Sequence, residues 1–397
     1  MALLKIPLNT AYLSLYLEAE QGMVFHHIKQ SLYQLPPLSI AFLLALDEGL
    51  DKPRALAEIA QSSQIPPEQL SDTYQQIKSL FNQDHDELCY LDGRYPELAK
   101  PLSGIKTAVK KKTLTYQVAD ATFAILTGSA PLYRDIETLL APCQKNLEEV
   151  DFEITINPQQ EVYSIYCNEL LVEEQLTYPE IIPLIIDRLQ ILAFQKSDYY
   201  FCFHGAALQT PHGDLLLPGK SGDGKSTLSA TLANEENGLY SDEIIALNKH
   251  LQLCILTLPI GLKSGSWDIL ATQYPQLADE PVWHRLDGRL LKYVWPSAFA
   301  KRCHQKNDKH RDFLLVNPNF RAAKDTGAAV LPASLPQKLS VIDTISMLTQ
   351  SGYQLGVELS EEKLQQLIDF ISASKCYQLS YANTDQAIQQ LKLLWQK

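Results

Sequence analysis

The sequence predicts an α/β fold, and three of its features carry that prediction. First, residues 215–232 run from three leucines through a glycine-rich loop into a helix. Second, two apolar stretches, 201–208 and 214–217, flank a tight turn ahead of that loop, which is the pattern of a β-hairpin. Third, strand and helix patterns alternate along residues 113–397, which is typical of α/β proteins.

Composition limits the class of protein and its partners. The chain has 397 residues, of which 46% are hydrophobic and 20% charged, which is ordinary for two or three globular domains. Its net charge of −12 and its lack of a basic tail argue against general binding to nucleic acid or to acidic membranes.

Cysteine usage and hydropathy predict the compartment. The seven cysteines include no C-x-x-C pair, which argues against a disulfide framework and against a zinc site. No signal peptide is recognisable after Met1, and no apolar run approaches the ~20 residues that span a bilayer. We therefore expect a cytoplasmic protein without a membrane partner.

Residues 1–95 predict a small winged-helix-like α+β domain. After an irregular or β-like start, helical spacing predicts helices over 37–46, 53–61 and 66–81, and a strand over 88–91 with a turn at Asp92-Gly93 follows. Residues 1–90 hold five Lys or Arg against eleven Asp or Glu, so phosphate contacts would be few and DNA binding is disfavoured.

This order of helices resembles the peptide-binding chaperone of pyrroloquinoline quinone biosynthesis. The helix around Ile59 and the helix from Leu70 to Phe81 carry the resemblance, over about 55 residues. It implies a domain that grips a segment of a precursor peptide by strand addition.

Residues 96–112 predict a linker, because they lack periodicity and combine prolines, a glycine and three lysines. An antiparallel unit is predicted to follow it. Its elements are strand 113–118, helix 131–140, strands 152–156 and 162–167 joined across Asn157-Pro158, and helix 179–195.

The loop after the hairpin fits G-x-x-x-x-G-K-[ST], the pattern of a nucleotide phosphate-binding loop. Its backbone N–H groups and the following helix N-terminus would hold phosphate oxygens, the lysine of the pattern would reach the β- and γ-phosphates from a solvated loop, and the serine would hold Mg²⁺. We therefore expect ATP and Mg²⁺ as ligands. The residues predicted to bind the nucleotide are Gly219, Lys220, Ser221, Gly222, Asp223, Gly224, Lys225, Ser226 and Thr227.

Two adjacent acids follow the loop. The helix is predicted to end near 234–238 with Gly238 as a left-handed cap, and a strand over 239–247 to carry Asp242 and Glu243. One short helix would thus return a carboxylate to the phosphate loop, where a direct or second-sphere Mg²⁺ ligand is needed.

The rest of the chain predicts helices over 336–348, 360–373 and 383–395. Ser360 and Asn383 precede acidic first turns and are the expected N-caps of the last two.

Together these runs resemble the HPr kinase/phosphorylase superfamily of serine kinases, and most closely its HPr-kinase-related members. The resemblance spans about residues 113–397 and implies a phosphate-loop fold related to that of phosphoenolpyruvate carboxykinase. It also implies ATP, Mg²⁺ and phosphoryl transfer to a serine hydroxyl. The Gly/Arg-rich signature of HPr kinases after the acid pair is absent, which argues against HPr as substrate and against a reverse phosphorylase activity. The segments that carry the resemblance are 204–208, 219–226, 241–243, 262–266, 287–288, 293–296 and 377–381.

Phosphoryl transfer to a hydroxyl needs a base, a metal ion and positive charge. Asp242 is our candidate base, with a purely Mg²⁺-binding role as the alternative, while Glu243 is expected to be metal-side or structural. His204 could hydrogen-bond Asp242 or the phosphoryl group, or be an ordinary strand-end histidine.

Further charged residues have open roles. Lys263 could neutralise charge in the transition state or be a solvated loop lysine. One arginine could fix substrate, and the candidates are Arg285, Arg289, Arg302 and Arg321. Cys303, His304 and His310 lack zinc-finger spacing.

The sequence therefore predicts an ATP- and Mg²⁺-dependent serine kinase acting on a peptide or protein. Residues 1–95 would form the domain that recruits the acceptor, and residues 113–397 would form the kinase domain. Residues 96–112 would be the linker between the two domains. The alternatives are a kinase for a small hydroxylated molecule such as free serine, and a non-catalytic nucleotide-sensing regulator. The carboxylate at Asp242 favours an enzyme. The sequence leaves open the identity of the acceptor, the preference for ATP or GTP, and whether the protein is a monomer or a homo-oligomer.

Overall fold

The computed structural model is a mixed α/β protein with several β-sheets. It describes residues 3–82, 107–108, 113–197, 199–220, 222–233, 236–256, 258–298, 312–321, 335–350 and 359–395. No helix in these ranges is both long and apolar enough to cross a membrane. The predicted strand 88–91 and its turn lie outside the described residues. So does most of the predicted linker, although its residues 107–108 form a short strand.

Residues 3–82, here called the N-terminal module, form a four-stranded antiparallel meander followed by three helices. The irregular or β-like start is therefore a complete sheet, and the three predicted helices are confirmed. The third ends at Ser79 rather than Phe81. The elements are β1 (Leu4–Ile6), β2 (Leu13–Glu18), β3 (Gln21–His26), β4 (Ser31–Leu35), α1 (Pro37–Asp47), α2 (Lys52–Ser63) and α3 (Pro67–Ser79).

Both faces of this sheet are covered, because its side chains alternate between two hydrophobic clusters. Leu15 and Val24 pack with the helices of the module. Tyr16, Met23 and Phe25 instead belong to a cluster made mostly of residues from the C-terminal half of the chain. The module is thus packed on the rest of the protein through one face of its sheet.

The segment after the module is a five-stranded sheet covered by two helices. Its strand order is β11-β10-β9-β7-β6, and one neighbouring pair, β7 with β9, is parallel, so the unit is not purely antiparallel. The turn after β9 lies at residues 160–161, since the strand continues through Asn157-Pro158. The elements are β5 (Thr107–Ala108), β6 (Leu114–Val118), β7 (Ala121–Thr127), α4 (Ala130–Leu139), β8 (Glu149–Val150), β9 (Phe152–Gln159), β10 (Val162–Cys167), β11 (Leu170–Leu176) and α5 (Tyr178–Lys196).

The central sheet holds the predicted hairpin. β12 and β13 pair antiparallel with Thr210 opposite Gly213, which confirms it, and β13 also has a parallel neighbour, β19. All six residues of β13 are buried, as expected for a strand covered on both faces. The elements of this sheet are β12 (Phe201–Thr210), β13 (Gly213–Pro218), β14 (Gly238–Ser241), β15 (Ile244–Leu247), β19 (Phe313–Phe320), β20 (Gln337–Lys338) and β21 (Lys375–Tyr381).

A small three-stranded sheet and five helices complete the described chain. The small sheet has the order β16-β18-β17. Ser360 and Asn383 accept hydrogen bonds from Lys363 N–H and Gln386 N–H, which confirms both predicted N-caps. The elements are α6 (Lys225–Leu232), β16 (Ile260–Lys263), α7 (Ser264–Leu270), β17 (Trp283–His284), β18 (Leu290–Val294), α8 (Val341–Gln350), α9 (Glu361–Ala373) and α10 (Thr384–Trp395).

Three predicted boundaries were wrong. Helix α6 ends at Leu232, and Gly238 begins β14 instead of capping the helix. The single strand predicted over 239–247 is two strands, β14 and β15, and the acid pair lies between them. Helix α8 begins at Val341, because residues 337–338 pair with β21.

Candidate functional site

The glycine-rich loop connects the end of β13 to the start of α6, and Lys225 is the first residue of that helix. Gly224 precedes it with a left-handed φ of +85°, which a non-glycine residue adopts at a cost. A Cβ atom at Gly224 would also overlap the hydroxyl of Tyr381. Both facts explain the glycine at this position of the motif. Ser221 lies outside the described residues.

Lys225 is buried rather than solvated, with 5% of the residue exposed. Its Nζ donates a hydrogen bond of 2.6 Å to the backbone carbonyl of Lys220, so the side chain folds back over the loop. Burial lowers the pKa of the Lys225 ammonium, while Glu243 and Asp223 act in the opposite direction. The expectation of a solvated lysine was therefore wrong, because the loop wraps around this side chain.

The ends of two central strands brace the loop. Lys220 N–H donates to the Asp223 carboxylate at 2.5 Å, which closes the loop on itself. The Asp223 carbonyl accepts from the Tyr381 hydroxyl at 3.3 Å and from Phe320 N–H at 3.4 Å. Our sequence analysis gave Tyr381 and Phe320 no role, because they meet the loop only through the pairing of β19 with β21.

Hydroxyl groups line the helix that follows the loop. Thr227 Oγ1 lies 2.6 Å from Ser266 Oγ on α7, which ties the two helices together. Ser229 donates a hydrogen bond to the Asp242 carboxylate, and Ser226 also hydrogen-bonds that carboxylate. Asp242 therefore lies beside the hydroxyl that the motif assigns to a metal ion.

Burial raises the pKa of Asp242 from 3.8 to about 7, and the neighbouring Glu243 acts in the same direction. Hydrogen bonds from Ser229 and Ser226 and the charge of Lys225 oppose this rise. A cation bound beside Asp242 would lower the pKa of this carboxyl group, because it stabilises the ionised form.

Glu243 faces His204 on the neighbouring strand. His204 Nε2 lies 3.4 Å from Glu243 Oε1, and Gly205 N–H donates to the Glu243 carbonyl at 2.9 Å. The sequence left open whether His204 bonds Asp242, bonds the phosphoryl group or is an ordinary strand-end histidine, and the structure places it against Glu243. The side chain of Glu243 is 47% exposed and that of His204 17%, so this pair opens towards solvent.

A cationic group lies on the small sheet beside Glu243. Lys263 ends β16, where burial and the charges of Arg289 and Arg285 lower its pKa, and Glu243 raises it. Glu243 also acts electrostatically on Arg285, Arg289 and Lys225. Glu243 is thus within electrostatic range of four cationic side chains of this site.

The structure distinguishes the arginines that the sequence left equivalent. Arg285 and Arg289 lie in the turn between β17 and β18, near Lys263 and Glu243. Arg321 is exposed and donates its N–H to the Tyr381 carbonyl at the far side of the loop. Arg302 lies outside the described residues, as do Cys303, His304 and His310.

The donors present suit magnesium. Mg²⁺ prefers oxygen ligands and is usually bound by one or two carboxylates together with phosphate oxygens and water. The Ser226 hydroxyl and the Asp242 carboxylate could supply the protein ligands. Within the described ranges there is no cluster of three or more His, Cys, Asp or Glu side chains that could hold a metal by itself. A site here would accordingly depend on bound phosphate.

Comparison with protein-family models and with curated proteins found no match for this chain. The function is therefore argued from the geometry of this site.

Proposed function

We propose that this chain is an ATP- and Mg²⁺-dependent kinase that transfers the γ-phosphoryl group to a serine hydroxyl of a peptide or protein. One observation carries the proposal. A glycine-rich loop with a lysine at the helix start, a carboxylate bonded to the motif serine Ser226, and a second carboxylate paired with histidine converge on one place. The resemblance to HPr-kinase-related serine kinases supports the same reaction and the same phosphate-loop fold.

The loop would bind the nucleotide phosphates. The N-terminus of α6 offers backbone N–H donors to phosphate oxygens. Lys220 N–H and Asp223 N–H would join them by leaving their present acceptors within the loop. Lys225 would exchange its bond to the Lys220 carbonyl for the β- and γ-phosphates. Ser226 and Asp242 would hold Mg²⁺, which supplies positive charge to the β- and γ-oxygens.

The contacts favour Glu243 rather than Asp242 as the general base. Asp242 is engaged by Ser226 and Ser229 on the metal side, whereas Glu243 is half-exposed and paired with His204. The acceptor oxygen attacks the γ-phosphorus, and its proton passes to Glu243. A new O–P bond forms, and the bond to the β–γ bridging oxygen breaks with its electron pair leaving on ADP.

The solvent exposure of Glu243 favours a peptide or protein acceptor over a small molecule. Glu243 is open to solvent among the described residues, so a hydroxyl carried on a polypeptide could reach it. A kinase for a small hydroxylated molecule would need an enclosed pocket beside this acid. Two carboxylates at the site also favour an enzyme over a nucleotide-sensing regulator.

The N-terminal module would recruit the acceptor. It resembles a winged-helix-like peptide-binding domain, and β4 lies at an edge of its sheet, where its only described strand partner is β3. A free strand edge is the element that strand addition requires.

The cytoplasm, where ATP is abundant, is the compartment that suits the proposed ATP-dependent kinase.

The test is Lys225→Ala. Losing a charge-assisted contact to phosphate should weaken ATP binding by about 10- to 100-fold and abolish phosphate release from ATP. Calorimetric ATP affinity, phosphate release and circular dichroism would be measured together. The matched control is Lys249→Ala, an exposed lysine in the turn after β15, which should change none of them. ATP turnover at the wild-type rate in Lys225→Ala would refute the proposal.

A further inference from the structure

The turn between β17 and β18 presents an arginine in a fixed backbone. Arg285 N–H donates to the Arg289 carbonyl at 2.8 Å, and Gly288 N–H donates to the Arg285 carbonyl at 2.9 Å. On either side of the turn, Trp283 pairs with Leu291 in the ladder of the small sheet. The backbone at Arg285 is therefore fixed by hydrogen bonds within the turn 285–289 and by strand pairing next to it.

A carboxylate from a different part of the chain holds the side chain of this arginine. Asp187 lies on α5, and its Oδ2 and Oδ1 atoms are 2.8 Å and 3.2 Å from Arg285 Nη2 and Nη1. The two groups form a two-point pair, which fixes the plane of the guanidinium as well as its distance. Stacking of Tyr178 on Trp283, with ring centroids 6.1 Å apart, fastens the same helix to the same hairpin.

The pair lies next to the proposed reaction centre. Glu243 acts electrostatically on both Asp187 and Arg285, and the buried Tyr293 lies within range of all three. Lys263 is also within electrostatic range of Arg285. Arg285 is therefore within electrostatic range of Glu243, as is Lys225 of the glycine-rich loop.

Stability alone is a weak reason for this pair. The side chains of Arg285 and Asp187 are 27% and 21% exposed, so the pair is partly buried, and burial raises the pKa of Asp187 to about 6 despite the arginine beside it. Buried ion pairs can often be replaced by apolar residues without loss of stability. A pair kept at this place is better explained by the orientation of the guanidinium.

We propose that Arg285 binds the oxygens of the transferred phosphoryl group and that Asp187 is the positioning residue that aims it. Nη1 and Nη2 of Arg285 each direct one N–H group to Asp187, and Nε lies 3.6 Å from Asp287 Oδ2. The second N–H group of each Nη atom can be presented to phosphate oxygens. The unit made of β6–β11, α4 and α5 is then part of the active site. This inference rests on the proposed kinase function.

The test compares binding of ADP with binding of ADP plus aluminium fluoride, which mimics the phosphoryl group in flight, both with Mg²⁺. The wild-type protein should bind the mimic at least about 10²-fold more tightly than ADP. Arg285→Ala should remove about 10²-fold of that preference and leave ADP affinity unchanged. Asp187→Asn should remove about 10- to 100-fold, since it loosens the guanidinium without deleting it.

A double variant separates positioning from simple structural support. In the Arg285→Ala background, Asp187→Asn should have no further effect on the preference, because it acts only through the arginine. Unfolding temperature, which needs no ligand, serves as a second measurement for every variant. Added guanidinium ion should restore phosphate release in Arg285→Ala and not in Lys225→Ala.

The control is Asp369→Asn, which removes an exposed carboxylate on α9 that accepts a hydrogen bond from Gln365 and does not contact Arg285. It should change the preference by less than about twofold, as expected for a surface side chain. If the wild type prefers the mimic and Arg285→Ala keeps that preference, the inference is wrong. If the wild type binds neither ADP nor ATP, the proposed function itself has failed.

Discussion

Asp242 and Glu243 are neighbours in the chain, yet their carboxylates have different partners. Asp242 is bonded by hydroxyls of α6, and Glu243 faces His204 on β12. The acids sit at the break between β14 and β15, where regular strand geometry is interrupted. The two carboxyl groups therefore have different environments, which is the basis for proposing a metal-side role for Asp242 and a base role for Glu243.

Substituting the two acids should have different consequences. Glu243→Gln removes a base but leaves the metal-side acid, so phosphoryl transfer should fall by about 10²- to 10⁴-fold with nucleotide affinity in Mg²⁺ nearly unchanged. Asp242→Asn should weaken Mg²⁺-dependent nucleotide binding and leave Mg²⁺-free binding alone. Titrations with and without Mg²⁺, beside single-turnover rates, measure both. A wild-type rate in Glu243→Gln would return the base role to Asp242.

The raised pKa of Asp242 predicts a pH dependence with a definite sign. The folded protein keeps this proton between pH 3.8 and about 7, where the unfolded chain has lost it. The contribution of the protonated Asp242 to the free energy of unfolding is therefore fully present below pH 3.8 and is lost as pH rises through about 7. Mg²⁺ binding with nucleotide should release a proton and strengthen from pH 6 to 8.

The measurement is the pH dependence of metal-free unfolding temperature, compared between wild type and Asp242→Asn. The difference between the two curves isolates this group from the other titrating residues. Calorimetry of Mg²⁺ binding in two buffers of different ionisation heat counts the released proton. Parallel curves for the two proteins would contradict the assignment.

At the scale of elements, the glycine-rich loop is shaped by strands that are distant in sequence. Asp223 is held by both β19 and β21, and Gly224 packs directly against Tyr381 at the end of β21. The loop therefore has little room to change its path. Its conformation depends on the parallel pairing of the two strands as much as on its own glycines.

Gly224→Ala should disrupt the loop more than Gly222→Ala. Both glycines have positive φ, +85° and +103°, so both substitutions add backbone strain. Of the two, only Gly224 has a described atom that the new Cβ would overlap, since no described atom lies within 4 Å of a Cβ at Gly222. ATP affinity and unfolding temperature should fall further for Gly224→Ala, and adding Tyr381→Phe should recover part of the difference. Equal losses for both single variants would exclude the overlap as the cause.

At the scale of the whole molecule, the N-terminal module is joined to the C-terminal half by more than its chain connection. Glu18 at the end of β2 accepts from Ile342 N–H at 3.1 Å, which caps the N-terminus of α8. Glu361 at the start of α9 accepts hydrogen bonds from Lys5 and Ser14. The module thus contacts the first turn of two helices, and its deletion would expose apolar surface on the remainder.

Module and core should therefore unfold together. Phe25 is buried among residues of the C-terminal half, and Phe→Ala at such positions costs about 3–5 kcal/mol. Calorimetry should show one transition for residues 1–397 and a lower midpoint for all of it in Phe25→Ala. Phe42→Ala, which lies in the module's own cluster, should lower the same transition. Two transitions, with only the first moved by Phe42→Ala, would instead support a tethered domain.

The sequence by itself determined the local features of this protein. The hairpin, the glycine-rich loop, the helix that follows it and the N-caps at Ser360 and Asn383 were predictable, because each depends on residues within a few positions of one another. The division of the predicted strand 239–247 into two strands with the acid pair between them was not, since it depends on how β14 and β15 both pair with β12.

Only the tertiary structure decided which charged groups meet. His204 pairs with Glu243, Arg285 with Asp187, and Tyr381 with the loop, across separations that no local periodicity encodes. The parallel pairing of β7 with β9 and the docking of the N-terminal module have the same origin. Helix and strand patterns report burial along one element, whereas these contacts arise from the packing of one element on another.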